Sequence, residues 1–397
     1  MRVFLRFSLF FISMSYCMAQ TDSVRMGRKT SIQYFPSFSF QEETGLQFGL
    51  HLVTYFDISK SDTVSRRSKV ENRVYYTTLS QYYTYNIWQL FTKDEGYNVS
   101  GQFQAGYWID RLYPVGGRSD LPIIEFHGTK KDTLNYANYS YHFANLYSVF
   151  DKKIAPHHFA GLMVEYDQAA KNKFLADSVN DFNAIQLARN NATRVGLGLN
   201  YNYDSRDNYD NPLKGTYIQV VGGLYRKAFG SSVDYHILTM DADAYINTYK
   251  DQTLALRLVT EYRQPDGSDP IPIRGLAYNG GVSYVRGYYS GTYRANNLAA
   301  IETEYRLPIN IKANAPFWKF WERFGMVFFL STVKASDNFT DLLSPTAYHF
   351  AGGLGIRYAL NIKQRLNVTF DYAIGFDKSA DLGKRPTGLY FNLGEAF

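Results

Sequence analysis

Large apolar residues alternate with small or polar residues along several stretches of the chain. In the clearest stretch, 193–203, Leu197 and Leu199 alternate with Gly198 and Asn200. The same alternation recurs at 254–263 and 365–376. A repeat of two residues is the period of a β-strand, whose successive side chains point to opposite faces. The pattern therefore predicts strands with one apolar face and one polar face.

About sixteen such strands account for most of the chain, an even number of the kind that bacterial membrane barrels contain. The predicted strands are 30–40, 46–56, 71–80, 82–92, 97–108, 138–150, 158–168, 193–203, 215–226, 232–246, 253–263, 295–306, 322–334, 347–360, 364–376 and 386–397. Runs of about ten residues are long enough to cross a bilayer at a tilt. The sequence thus predicts an all-β fold in which residues 30–397 form one transmembrane antiparallel β-barrel.

The connections between the predicted strands are long on one side and short on the other. An even number of strands places both termini on the same side of the membrane, which would be the periplasm. The long connections, predicted to face the cell exterior, are 109–137, 169–192, 264–294, 335–346 and 377–385. The short connections, predicted to face the periplasm, are 151–157, 247–252 and 361–363. This asymmetry is typical of membrane barrels.

The composition favours a barrel over the main soluble alternative. Aromatic residues make up 17% of the chain, with 35 Tyr and 29 Phe, while the mean hydropathy is −0.31. A secreted β-sandwich is the alternative, but its strands would be shorter and its apolar residues would face a dry core. Here one strand face carries small or charged residues and the other large apolar ones, as expected for water inside and lipid outside.

The N-terminus has the three parts of a secretory signal peptide. Arg2 and Arg6 supply positive charge, and 4–12 is an apolar core too short to span a bilayer. Ala19 ends a small-residue cleavage site. Residues 1–19 are therefore predicted to be a signal peptide that is removed after export.

The only cysteine of the chain, Cys17, lies inside the predicted signal peptide. Lipidation of Cys17 is an alternative, although Tyr16 is bulky for the position before a modified cysteine. Cleavage after Ala19 would leave a short periplasmic segment, 20–29, before the first strand. The mature chain would then contain no cysteine and no disulfide.

The charge of the chain is modest and indicates no nucleic-acid partner. The formal net charge is +6, and the densest basic cluster, Arg66, Arg67 and Lys69, lies close to Arg73. Two interpretations of this cluster remain open: contact with anionic lipid headgroups or lipopolysaccharide phosphates, or a turn exposed to solvent. No folded basic module typical of nucleic-acid binding is recognisable.

The most specific stretch of the sequence is 280–308. It begins as a glycine-rich loop that contains the motif Val285, Arg286, Gly287 and Tyr288. A strand with unlike faces follows the loop. Its charged face consists of Glu302, Glu304 and Arg306, opposite Ile301, Thr303, Tyr305 and Leu307. In a barrel, the charged face is predicted to line the lumen.

Two other stretches carry recognisable patterns. Residues 203–220 read as a polar turn between two strands, with a strand break at Pro212 and a restart at Gly215. Calcium binding is an alternative for its acids, but they lack the Asp-x-Asp-x-Asp-Gly spacing. These acids are Asp204, Asp207 and Asp210. The last strand is rich in aromatic and apolar residues, which are Tyr390, Phe391, Leu393 and Phe397.

The glycine-rich loop with its Val-Arg-Gly-Tyr motif, the polar turn and the aromatic end together resemble the BamA/TamA family of outer-membrane proteins (the bacterial surface antigen family). The resemblance covers most of 203–397. It implies that the sixth outer loop folds back into the lumen, where inward-facing acids hold Arg286. The acids available for this role are Glu302, Glu304 and Asp371. Many relatives carry Asp-x-Gly on the thirteenth strand, whereas this chain has no acid in 328–332.

The resemblance also implies a role for the last strand of the chain. A last strand with a terminal aromatic residue resembles the signal that assembly machinery reads on barrel substrates. Glu395 is a departure, because it is predicted on the lipid face where an apolar residue is usual. An alternative is that Phe397 belongs only to an aromatic girdle at the membrane surface.

The function implied by the resemblance is an accessory role in outer-membrane protein assembly or translocation, for a barrel without the periplasmic transport-associated domains of other members. A passive pore or a structural membrane protein is the alternative. Outer-membrane lipid, lipopolysaccharide, other assembly factors and barrel substrates are the expected partners.

Catalysis has little support in the sequence. The Gly-x-Ser-x-Gly motif of lipases is missing. His157 and His158 are neighbours, and on a strand they would point to opposite faces rather than share a metal. The chain is therefore predicted to be no enzyme and to hold no cofactor or metal.

We predict that the mature protein begins near Gln20 and is found in the outer membrane. Cell fractionation followed by N-terminal sequencing measures both properties. Recovery of the chain from the soluble periplasm would contradict the barrel, and a lipid-modified N-terminus at Cys17 would favour the lipoprotein alternative.

Overall fold

The computed structural model describes most of the chain from residue 30 onward. The described residues are 30–41, 44–59, 65–116, 123–127, 130–134, 136–176, 178–179, 187–188, 190–279, 285–308, 323–362, 365–378, 385–395 and 397. The predicted signal peptide, 1–19, and the predicted periplasmic segment, 20–29, lie outside them.

Sixteen strands form one antiparallel sheet. In chain order they are β1 (Ser31–Gln41), β2 (Gly45–Phe56), β3 (Ser68–Thr77), β4 (Tyr82–Phe91), β5 (Tyr97–Leu112), β6 (Ala137–Ala155), β7 (His158–Phe174), β8 (Ala192–Asp204), β9 (Gly215–Tyr225), β10 (Tyr235–Tyr249), β11 (Gln252–Pro265), β12 (Asn297–Pro308), β13 (Phe324–Ser336), β14 (His349–Asn361), β15 (Leu366–Gly375) and β16 (Thr387–Leu393). Each predicted strand corresponds to one of them, so the predicted all-β barrel is confirmed.

The sheet closes on itself into a barrel. Each strand pairs with the next one along this order, and β16 lies next to β1. Between these two strands, however, no hydrogen-bonded ladder forms within the described residues. We call this boundary the seam. The end of the barrel where β1 begins and β16 ends is called the terminal end, and the opposite end is called the loop end.

The two faces of the sheet differ as the alternation predicts. On β8, Leu197 and Leu199 expose 46% and 69% of their surface, whereas Arg194 and Asn200 on the other face are buried. Asp371 on β15 is also buried on the inner face. Soluble proteins bury apolar residues and expose charged ones. The reversed distribution is that of a transmembrane barrel with a polar lumen.

At the loop end the inner face becomes apolar, which the alternation did not predict. Here β5 and β7 continue to Leu112 and Phe174, beyond their predicted ends. The long connection 266–296 brings apolar side chains such as Ile271 into the lumen, where they pack against buried residues of the wall such as Tyr235. At the loop end, apolar residues therefore lie on both the inner and the outer face of the sheet. The alternation of apolar and polar residues is lost there before the strands end.

Short strands occur in three of the predicted outer loops, 109–137, 169–192 and 264–294. Ile123–His127 pairs with Lys130–Leu134 and with Ser178–Val179 to form a small separate sheet. The sequence alone predicts only loops there, because strands of two to five residues are too short to show a period. No helix in the described part of the chain is long and apolar enough to cross a membrane.

The outer face of β8 provides a test of lipid contact. Leu199→Arg should lower the free energy of unfolding by about 2–4 kcal/mol, because a charge near the bilayer midplane loses its hydration. Leu199→Phe keeps the residue apolar and should remain close to the wild type. Denaturant unfolding in lipid vesicles measures both variants, and equal stability of the two would mean that this face does not meet lipid.

Candidate functional site

We call the connection between β11 and β12, residues 266–296, the inner loop, and its described parts, 266–279 and 285–296, enter the lumen. A short antiparallel ladder between Ala277–Tyr278 and Arg294–Ala295 closes its neck. The backbone N–H of Tyr293 donates to the side-chain oxygen of Asn279 at 2.7 Å and reinforces this closure. The neck places the tip of the loop, which carries the Val-Arg-Gly-Tyr motif, against the barrel wall.

Arg286 lies at the centre of the site and is fully buried. Its Nη1 donates to Asp371 Oδ2 on β15 at 2.6 Å, and its Nη2 donates to Glu304 Oε1 on β12. The guanidinium also stacks over the ring of Phe329 on β13, 3.7 Å from the ring centre. A planar guanidinium fits two carboxylates and an aromatic face at once. Arg286 thus ties the inner loop to three separate strands.

The third candidate acid, Glu302, has a different role from Glu304 and Asp371. Its Oε1 accepts the backbone N–H of Val285 at 2.9 Å and the hydroxyl of Ser331 at 3.2 Å. Val285 has a φ of 62°, a left-handed conformation that is uncommon for a β-branched residue. Glu302 therefore supports the unusual backbone just before Arg286, in addition to facing the arginine as a third negative charge.

The last two motif residues contact the wall on the other side of the arginine. Gly287 has a φ of 112°, and a Cβ at this position would come within 3.0 Å of the Ile374 and Gly375 backbone. Its N–H donates to the hydroxyl of Tyr390 on β16 at 3.0 Å. Only glycine combines this φ with so close a backbone approach.

Tyr288 ends the motif, and its hydroxyl lies within hydrogen-bond distance of two acceptors that share its one proton. It contacts the Phe350 carbonyl oxygen on β14 and Asp377 Oδ2, each at 2.7 Å. Asp377, just after β15, also lies 2.8 Å from the imidazole Nδ1 of His349. Partial burial would raise the pKa of the Asp377 carboxyl, but the hydrogen bonds from Tyr288 and His349 outweigh this effect and lower it.

The two acids that hold Arg286 are themselves paired with other arginines. Asp371 also accepts a hydrogen bond from Arg357 on β14. Glu304 also accepts one from Arg306 Nε at 2.9 Å. Buried carboxylates are stable only when they are paired and hydrogen-bonded. The ion pairs therefore form one continuous network across β12, β14, β15 and the inner loop.

Glu395, close to the C-terminus, also belongs to this network. Arg357 Nε donates to Glu395 Oε2 at 2.7 Å, and Asn367 donates to Glu395 Oε1 at 2.6 Å. The prediction that Glu395 faces lipid is therefore wrong. The tail turns inward after β16, at Gly394 with a φ of 86°, so the strand alternation no longer sets the direction of Glu395.

The aromatic end of the chain is divided between the two sides of the wall. Tyr390 is buried and points inward to the motif. Phe391 lies opposite the exposed Phe370 in the β15–β16 register and so shares its outer face. The side chain of Leu393 lies outside the described residues. The Phe397 ring packs near Arg306 inside the terminal end, 5.4 Å from the guanidinium carbon, and not in an outer aromatic girdle.

A glycine on β14 provides space for the network. Gly355 lies directly opposite Asp371 in the ladder. A Cβ at this position would collide with Asp371 Oδ1 and would lie 2.6 Å from Arg357 Nη1. Gly355 therefore positions the acid, although the sequence pattern offers no signal for this role.

Arg274 anchors the other half of the inner loop, and sequence reasoning missed it. Its Nε and Nη2 donate to the two oxygens of Asp167 on β7 at 3.1 and 2.7 Å. Its Nη1 donates to the hydroxyl of Tyr141 on β6 at 3.2 Å. The buried inward position of Asp167, on a strand facing a long loop, is the one signal that could have suggested a loop arginine as partner.

The histidine pair has ordinary structural partners. His157 Nδ1 lies 3.1 Å from the Asp204 carbonyl oxygen, and His158 Nδ1 lies 2.7 Å from the Tyr201 hydroxyl. Within the described ranges, no group of three or more His, Cys, Asp or Glu residues is arranged to hold a metal ion.

The basic cluster is neither a solvated turn nor a free surface for headgroups. Arg66 pairs with Glu95 Oε2 at 2.9 Å and also with Asp204. Lys69 exposes only 12% of its side chain and pairs with Asp210. These bases face carboxylates at the terminal end of the barrel, including two acids of the polar turn.

Arg286→Ala should lower the free energy of unfolding by about 3–5 kcal/mol, because Glu304 and Asp371 would lose a buried counter-charge. Arg286→Lys should restore only part of the loss, since an ammonium cannot match the planar fork. Heat-modifiability on gels and resistance to surface protease measure the effect.

Variants of the acids show how the arginine is held. Asp371→Asn and Glu304→Gln should each reproduce part of the Arg286→Ala defect, whereas the exposed Asp269→Asn serves as control. If Arg286→Ala behaves like the wild type in both measurements, the ion pairs contribute nothing to barrel stability.

Comparison with known proteins agrees with this geometry. The Omp85 superfamily domain matches residues 21–397. The fold is similar to BamA from Haemophilus ducreyi lacking POTRA domains 1-3, with a TM-score of 0.57, 13% identity, and coverage of 92% of this chain and 70% of that chain. CdiB from Acinetobacter baumannii has a TM-score of 0.49, 12% identity, and coverage of 92% and 65%. No curated protein matches at the sequence level. The predicted BamA/TamA resemblance is confirmed, and the chain belongs to the Omp85 superfamily.

Proposed function

We propose that this barrel has an accessory role in protein assembly or translocation at the outer membrane. Membership of the Omp85 superfamily supports both the location and the general task. The proposal includes export through the cleavable signal peptide, 1–19, and contact with outer-membrane lipid, lipopolysaccharide, other assembly factors or barrel substrates. It includes no catalytic step and no cofactor.

The observation that carries the proposal is a lumen occupied by the inner loop, beside a seam that has no hydrogen-bonded ladder among the described residues. The inner loop is anchored to opposite walls, by Arg286 to β12 and β15 and by Arg274 to β7. Next to these anchors, Ile273 and Leu276 pack in one apolar cluster, and Val285 packs in a second. A lumen filled in this way offers little space for solutes, which disfavours a passive pore.

The seam offers a different route. Its two strands, Ser31–Gln41 and Thr387–Leu393, lie side by side, but no ladder joins them among the described residues. Unpaired backbone groups in lipid cost several kcal/mol each, so such an edge favours pairing with another strand. We propose that the seam parts sideways to receive a strand of the cargo, while the Arg286 network keeps β12 to β15 in shape.

The proposal predicts that vesicles containing the purified barrel accelerate the folding of an outer-membrane protein added unfolded from urea. The physical reason is that the seam supplies a strand edge within the bilayer, where backbone groups otherwise remain unpaired. Empty vesicles and vesicles containing an unrelated porin serve as controls. Folding rates equal to those of the controls would contradict an assembly role.

Conductance in planar bilayers tests the alternative. The wild type should conduct little, and deletion of 275–292 should increase the conductance, because the tip of the inner loop is removed. A large, steady conductance of the wild type, together with no effect on folding rates, would instead support the passive pore.

A further inference from the structure

The connection between β8 and β9, residues 205–214, is the central part of the polar turn and has a fixed shape. Asp207 Oδ1 accepts the backbone N–H groups of Leu213 and Lys214, at 2.9 and 3.3 Å. Asn208 Oδ1 accepts those of Asp210 and Asn211 at 2.9 and 2.8 Å. Side chains that bond their own backbone in this way make a turn rigid. We call these residues the acidic turn.

The acidic turn contacts distant parts of the barrel. In a barrel of sixteen strands, β8 and β9 lie halfway round from the seam between β1 and β16. The side-chain partners of Asp207 and Asp210, however, belong to β2, β3 and the β14–β15 connection. The turn therefore reaches across the terminal end to both sides of the seam.

On the β1 side of the seam, the partner is Asp210. Its carboxylate pairs with Lys69 at the start of β3. It also accepts the hydroxyl of Tyr55, near the end of β2, at 2.8 Å. Both Lys69 and Asp210 are largely shielded from solvent, which limits the screening of the pair.

On the β16 side of the seam, the partner is Asp207. Arg365, in the connection between β14 and β15, donates from Nη1 to Asp207 Oδ2 at 2.6 Å. Partial burial would raise the pKa of the Asp207 carboxyl, but the hydrogen bonds from Arg365, Leu213 and Lys214 outweigh it and lower the pKa. The carboxylate is thus held in its charged form opposite the arginine.

We propose that the acidic turn is a clamp that holds the two sides of the seam together at the terminal end. One rigid segment pairs with Lys69 on one side and with Arg365 on the other, and the described residues of the seam between them form no ladder of their own. Parting the seam at this end requires at least one of these ion pairs to break. This inference deepens the proposed function and rests on it for the biological meaning of seam opening, but the clamp itself can be measured independently.

The test removes the two charged partners of the clamp and leaves the acidic turn intact. The double variant Lys69→Gln with Arg365→Gln keeps Asp207 and Asp210, whose side chains shape the turn. Spin labels at Ile32→Cys on β1 and Leu389→Cys on β16 report the width of the seam, and both side chains are exposed on the outer face. Cys17, the only natural cysteine, lies in the predicted signal peptide, so the introduced cysteines are labelled selectively.

A matched control removes two positive charges at the opposite end. Arg226 and Lys227 pair with Asp266 and Asp269 in exposed ion pairs near the loop end. Arg226→Gln with Lys227→Gln changes the net charge by the same amount without touching the acidic turn. The single variants Lys69→Gln and Arg365→Gln release one side at a time, and each should give part of the full effect.

The expected result is a shift toward longer distances between the labels in the Lys69→Gln/Arg365→Gln protein, and none in the control. Distances identical to those of the wild type, in a folded barrel that retains its heat-modifiability, would overturn the clamp. The vesicle folding assay separates this failure from that of the proposed function. Wider distances with no effect on cargo folding would support the clamp and contradict the assembly role. Faster cargo folding with unchanged distances would contradict the clamp and support the assembly role.

Discussion

Buried charge is the constraint on which this structure depends. Arg286 is completely shielded from solvent, and a guanidinium in such a place is stable only if carboxylates replace the lost water. Glu304 and Asp371 supply that charge, and Arg306 and Arg357 in turn neutralise the acids. Because each member depends on the next, the loop tip, the strands and the C-terminal tail form one electrostatic unit.

This unit explains several features that otherwise look unrelated. Gly355 has no side chain because Asp371 and Arg357 occupy the space beside it. Glu395 turns inward because Arg357 and Asn367 bind it there. Phe329 on β13 offers Arg286 an aromatic face.

Different interactions dominate at the two ends of the barrel. At the loop end, apolar residues of the inner loop pack against apolar residues of the wall. At the terminal end, ion pairs connect the acidic turn to Lys69 and Arg365. Apolar packing is non-directional, whereas ion pairs depend on a few atoms and on their access to water. The terminal end is thus the end at which a small local change can alter the seam.

The sequence by itself determined the strands, their faces and the family of this protein. Strand periodicity is a local property, since neighbouring side chains must face lipid on one side and the lumen on the other. The sequence also identified Arg286 and three inward acids, Glu302, Glu304 and Asp371. It could not choose among these acids, because all three share the inner face and the choice depends on the path of the inner loop.

Only the tertiary structure decided which charges meet. Arg274 and Asp167 are distant along the chain, and so are Asp210 and Lys69, yet closure of the barrel brings each pair into contact. No local sequence pattern predicts such an ion pair, because the pair depends on where the closed barrel places the inner loop and the acidic turn. The alternation likewise failed for Glu395, since the chain leaves the sheet at Gly394 and the two-residue rule holds only within a strand.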